Sequence, residues 1–218
     1  MTDRPASPRP ESPVEPLTRG HKKRARTRQG LLDAALRLFS RQDVAATALQ
    51  ELATEAEVST GTIYNYFRTR EELAEAVGLA LASEFSETIT ELSEGVSSGA
   101  QRLAIGVRMF IRQAQADPQW ASALVRVIHF DRAMHSKLAG YVLNDLRAGL
   151  AEGTLRYADE GIALDLVVSA ATGAMRATLD GRAIPDHDVR VTEMILLALG
   201  ATAAKAKKIA DLPLPQGD

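Results

Sequence analysis

The chain has 218 residues and no cysteine, which removes disulfides and thiolate metal ligands from consideration. Aromatic residues make up only 5% of it; alanine and leucine are abundant, which favours helix over sheet. No apolar run long enough to span a membrane is apparent, and there is no signal-peptide pattern. The expected location is therefore the cytoplasm, with no membrane partner. Gly-rich phosphate loops, nucleophile elbows and His-Glu-x-x-His pairs are missing as well. An enzyme is thus not expected, and no catalytic residue, metal or cofactor is assigned. The net charge of −2 is not that of a general nucleic-acid coat protein.

The charge that is present is segregated. Arg19 to Arg41 holds eight Arg or Lys and a single acid, Asp33, leaving the remainder net acidic. A local basic patch on a mildly acidic body suits a specific DNA binder better than a non-specific one. Before it, residues 1–18 contain five prolines and almost no large apolar side chains. Such a segment cannot bury enough surface to offset its ordering entropy, and a disordered tail is expected. The basic arm that follows, RGHKKRARTR from Arg19 to Arg28, either enters a minor groove or adds electrostatic attraction; the second is favoured.

Three short helices are predicted next. Leu31, Ala35, Leu38 and Phe39 recur at helical spacing and form a covering helix. Thr47 with Gln50 makes a capping box, and Leu49, Leu52, Ala53 and Ala56 give the second helix its buried face. Glu57-Val58-Ser59 interrupts it, with Val58 plugging the gap between helices. Ser59 is the N-cap of the third helix. Ile63 and Phe67 face inward, which leaves Thr60, Gly61, Thr62, Tyr64, Asn65 and Tyr66 on the outer side. Threonine hydroxyls and methyls can read base edges; tyrosine hydroxyls and Asn65 suit phosphates. Thr69-Arg70-Glu71-Glu72 caps a fourth helix. Arg70 in its first turn opposes the helix dipole, which makes sense if it faces phosphate. The expected DNA-facing set is completed by Arg28 and Ser59.

The segments LLDAALRLF (Leu31 to Phe39), Thr47, Leu52-Ala53, Val58-Ser59, GTIYNYF (Gly61 to Phe67) and REEL (Arg70 to Leu73) together resemble the tetracycline-repressor (TetR) family of bacterial transcription regulators, over about the first third of the chain. The resemblance implies an all-α dimer whose recognition helices enter adjacent major grooves, with a C-terminal domain that binds an inducer and loosens the grip on DNA. It places base reading and phosphate contact on Thr60, Gly61, Thr62, Tyr64, Asn65 and Tyr66, and backbone contacts on Thr47 and Arg70. Three positions depart from the family pattern. Asp43-Val44 stands where a glycine usually precedes an aromatic, Glu57 replaces the turn glycine, and Thr60 stands where lysine is frequent. If the turn is left-handed, Glu57 costs about 1 kcal/mol relative to glycine.

The remainder reads as further helices, about nine in all. They run over about Thr69–Leu92, Ala100–Ala116, a segment to near Val127, Ala133–Ala151, Asp159–Asp180, and Pro185 to around Lys207. The expected division is a tail over 1–18, a basic arm and helix-turn-helix domain over 19–68 (motif about 48–67), a ligand-binding and dimerisation domain over 69–210, and a tail over 211–218. The last two helices are apolar on most faces and call for a second buried surface. Pairing with their copies in a homodimer supplies it, with Leu166, Ala170, Ala174, Met194 and Leu197 at the interface. Candidate lining for a small-molecule pocket is Phe85, Met109, Phe110, Gln113, Trp120, His129, Phe130 and Met134. The expected function is a ligand-responsive repressor on a palindromic operator. The rival readings are a helical ligand-binding or scaffold protein whose head no longer binds DNA and an enzyme using Asp131 and His135.

Overall fold

The computed structural model describes residues 19–39, 49–127, 137–216. Thr47, His129, Phe130, Asp131, Met134 and His135, and the tail over 1–18, lie outside the described residues. Within them the chain is all helical: α1 (Arg19–Phe39), α2 (Leu49–Glu55), α3 (Thr60–Tyr64), α4 (Arg70–Leu92), α5 (Gly99–Ala116), α6 (Pro118–Val127), α7 (Lys137–Ala151), α8 (Glu160–Leu179), α9 (His187–Ala198) and α10 (Ala203–Ala210).

Two of these differ from expectation. The basic segment is not a separate arm but the first half of α1. Its Arg, Lys, Ala and Gln residues are good helix formers, and no proline interrupts Arg19–Phe39. The last long helix is broken in two. Gly200 takes φ +86°, and Thr202 starts α10 by accepting from the Lys205 N–H at 3.4 Å. The break is enforced by crowding: a Cβ on Gly200 would lie 2.5 Å from the Arg156 carbonyl, whose own amide donates to Leu199 O at 2.7 Å.

The remaining boundaries follow from side-chain caps. Ser59, Thr69, Ser98 and Asp159 each accept from the third residue on, starting α3, α4, α5 and α8. By length and composition alone α8 would qualify as a membrane span, contrary to the sequence reading. Its inner face packs into the helical bundle through Ala163, Leu164, Val167, Ala174 and Met175.

Buried side chains form two clusters. The N-terminal one joins Leu31, Leu32, Leu52, Ile63, Phe67, Leu73 and Val77. The C-terminal one is built on Leu103, Val107 and Ile111 of α5, with α8 and Leu196 of α9 around them. Helix α4 serves both, with Leu73, Ala76 and Val77 in the first and Ala82 in the second.

Candidate nucleic-acid interface and internal cavity

The outer face of α3 is held from behind. Ile63 and Phe67 are fully buried, and Tyr64 stands 49% exposed beside them. Ser59 Oγ lies 3.2 Å from the Thr62 N–H that it caps and 2.9 Å from the Thr62 hydroxyl. Gly61 leaves open space, since a Cβ there would meet only Ser59 Oγ at 3.8 Å. Thr60 and Thr62 are half-buried; Gly61, Tyr64 and Asn65 are exposed. The α3 helix is short, but Tyr66 and Phe67 still donate to Ile63 O at 2.9 Å, so the polar residues keep a helical disposition.

The basic half of α1 lies beside this face. Arg24 donates to Asn65 O at 3.5 Å, and its guanidinium sits 5.4 Å from the Tyr66 ring centre. Arg28 lies 5.6 Å from the Phe67 ring centre. These cation–π contacts bring the basic stretch and the α3 face into one surface. Their sequence signal was only the co-occurrence of basic and aromatic runs. Arg70 opens α4 next to it, exposed and 3.9 Å from Glu71. Glu57, in the turn, has φ +54°, a conformation that disfavours any side chain.

In the C-terminal half a cavity of about 100 Å³ lies among α4, α5, α6, α7 and α8. Its walls are apolar, with Leu103, Val107, Phe110, Leu124, Val167 and Met175 among them. Polar groups reach it from Ser86, Thr90, Arg102, Tyr141, Asp145 and Thr172. The hydroxyls of Ser86 and Thr90 already donate within α4, to Ala82 O at 2.7 Å and Ser86 O at 2.8 Å, so they present lone pairs. Arg102 donates to Asp145 at 2.6 Å and to the carbonyls of Val96 and Ser97. Burial pushes the Asp145 carboxyl above its ordinary range, outweighing the Arg102 hydrogen bond and charge.

Of the expected pocket residues that are described, Phe110 alone borders this cavity. Phe85, Met109 and Gln113 line a second cleft on the other side of α5. Trp120 packs against Phe85 and Phe110, with ring centres 5.3 and 5.8 Å apart. Helical periodicity identified these residues as inward-facing, but α5 has two occupied sides and periodicity cannot assign them. Asp145, Arg102 and Tyr141 were missed, because charged side chains on an amphipathic helix read as surface.

The presumed pairing face also needs one correction. Ala174 is buried within its own chain and has no surface to offer a partner. The open side of α8 instead carries Ile162, Ser169 and Gly173, flanked by half-buried Leu166 and Ala170. On α9, Met194 is 70% and Leu197 41% exposed.

Residues 31–77 match the family described as bacterial regulatory proteins, tetR family, and residues 99–212 match the tetracyclin repressor-like C-terminal domain. Among curated proteins, the chain is 32% identical over 117 residues to the HTH-type transcriptional regulator AlkX of Mycobacterium tuberculosis, covering 53% of this chain and 56% of that one. It is 47% identical over 68 residues to AcrR of Shigella flexneri, covering 31% and 26%. It thus spans about half or less of these relatives' length. Among solved structures, RolR in complex with resorcinol superposes with a TM-score of 0.74 at 26% identity, covering 89% of this chain and 98% of RolR. RolR without ligand gives 0.70 at 24% identity, covering 86% and 98%.

Proposed function

Because the chain belongs to the TetR family of bacterial regulatory proteins, we propose that it binds a palindromic DNA operator as a homodimer in the cytoplasm, acts as a repressor, and releases the operator when a small molecule fills the α4–α8 cavity. The observation that carries this reading is the joined surface of α3 and basic α1. Tyr64 and Asn65 project from a buried Ile63–Phe67 backing, and Arg24 bridges to that face. Thr62 and Gly61 are the base-reading positions; Tyr64, Tyr66, Arg28 and Arg70 contact phosphates. The exposed apolar residues of α8 and α9 form the two-fold seam. That seam sets two recognition helices about 34 Å apart, one turn of DNA.

The effector is a compact ring bearing hydroxyl groups. Two features support this: the likeness to the resorcinol complex of RolR, and a small, mostly apolar cavity that acceptor groups also line. An apolar cavity of about 150 Å³ accommodates benzene in another protein, so a single ring is the right scale. A ring hydroxyl donates to Asp145, while Arg102, tied back to two carbonyls, keeps the carboxylate in place.

Selection of bound fragments from random DNA tests the main reading. The expected result is a palindrome whose affinity falls steeply with salt. No retention of any duplex at any salt concentration rejects it in favour of a helical ligand-binding protein without DNA activity.

A further inference from the structure

Beyond α10 the chain turns back, and residues 211–216 help enclose a cleft of about 470 Å³ against α4 and α5. One wall is apolar, from Phe85, Met109 and the Leu212–Pro215 stretch; Arg108, Arg112 and Gln113 supply the polar side. Arg108 is only 5% exposed. Its Nε donates to Asp188 Oδ2 at 3.0 Å, and its Nη1 donates to Leu212 O. Arg112, one turn later on α5, donates through Nε to the same Asp188 oxygen at 2.9 Å.

Two guanidiniums therefore share one carboxylate oxygen. The other acid at the cleft, Asp211, is paired with Lys207 at 2.9 Å. Of the two guanidiniums that share Asp188, Arg112 is the open one, its side chain 52% exposed. Among the described residues Asp188 is its one partner, through Nε, so its terminal nitrogens remain available. A guanidinium fork at the rim of an apolar wall fits a carboxylate that carries hydrocarbon.

We propose that this cleft is a second ligand site, for a small organic anion with an apolar body. The carboxylate pairs with the terminal nitrogens of Arg112, and the hydrocarbon lies along Phe85, Met109 and Leu212. The site is distinct from the internal cavity and does not depend on that cavity's role. Phe85 of the cleft and Phe110 of the cavity stand edge to face at 5.0 Å, filling the space between the two.

Isothermal titration of the full chain with octanoate tests this, with octanol and inorganic phosphate as comparison ligands. The expected result is one saturable octanoate site per chain, with octanol and phosphate each weaker by about tenfold or more. Arg112→Gln and the near-isosteric Gln113→Glu each weaken octanoate by about tenfold or more, with thermal melts showing both variants folded. Gly106→Leu, which fills the internal cavity, leaves octanoate binding intact. The proposal is overturned by absence of saturable octanoate binding. It is equally overturned by loss of binding in Gly106→Leu but not in Arg112→Gln. Octanol or phosphate binding as tightly as octanoate overturns it as well.

Discussion

Arg102 Nε meets Asp145 Oδ1 at 2.6 Å across the polar end of the internal cavity. The arginine's Nη1 is committed to the carbonyls of Val96 and Ser97, which leaves the carboxylate as the adaptable partner. Asp145→Asn retains the shape and removes the charge. It is expected to weaken resorcinol binding by roughly tenfold while leaving operator binding unchanged, as read by titration calorimetry and gel shift on the same preparation.

Gly106 borders the same cavity, and a Cβ placed there meets nothing within 4 Å. Gly106→Leu is expected to occupy the void without displacing α5 and to give a protein that holds its operator whether or not resorcinol is present. Gel shift with increasing resorcinol checks this; release as efficient as in the unmodified chain rejects the cavity as the effector site.

Asp188 titrates in a definite direction. Burial pushes its carboxyl up, but the hydrogen bonds from Arg108 and Arg112 outweigh that and hold it below its ordinary value of 3.8. A carboxyl lowered on folding stabilises the native state above its unfolded pKa, and this contribution is lost as pH falls through the folded value. Asp188→Asn leaves buried Arg108 without its counter-charge and is expected to cost about 3 kcal/mol at pH 7. The deficit shrinks as the urea midpoints of both proteins are compared at successively lower pH below 3.8.

Glu57 holds φ +54° in the turn between α2 and α3, and its side chain is exposed. Glu57→Gly is expected to raise stability by about 1 kcal/mol, measured as a higher urea midpoint with unchanged slope. An unchanged or lower midpoint means the strain is compensated locally.

Tyr64→Ala is expected to weaken binding to all duplexes similarly, whereas Thr62→Ala changes which sequence is preferred. Parallel selection from random DNA with both variants checks this. A Thr62→Ala protein with an unchanged consensus assigns base reading to other residues.

Much of this was legible in the chain because the cues are local. Ser59, Thr69 and Asp159 announce helix starts through a bond three residues away, and Ile63 and Phe67 share a face by spacing alone. The long-range arrangements were not legible. The docking of the basic half of α1 beside α3 rests on Arg24 and Arg28 meeting Tyr66 and Phe67. The break at Gly200 depended on the approach of Arg156, remote in sequence. Ala174 and Gly173 are adjacent small residues, and only the packing of α8 distinguishes the buried one from the open one. Asp145 was missed because a charge inside an apolar chamber is recognisable only once the chamber exists.

Helix α4 belongs to both cores, with Leu73 and Val77 anchored in one and Ile89 bordering the cavity of the other. At a rise of about 1.5 Å per residue these ends stand about 24 Å apart on one stiff rod. The rod acts as a lever: a tilt of about 5° where Ile89 touches the chamber displaces the far end by about 2 Å, on that same rise per residue. Such a shift is small for a side chain and large for a hydrogen bond to a base, so under the proposed function a slight swelling of the chamber suffices for the head to lose its register.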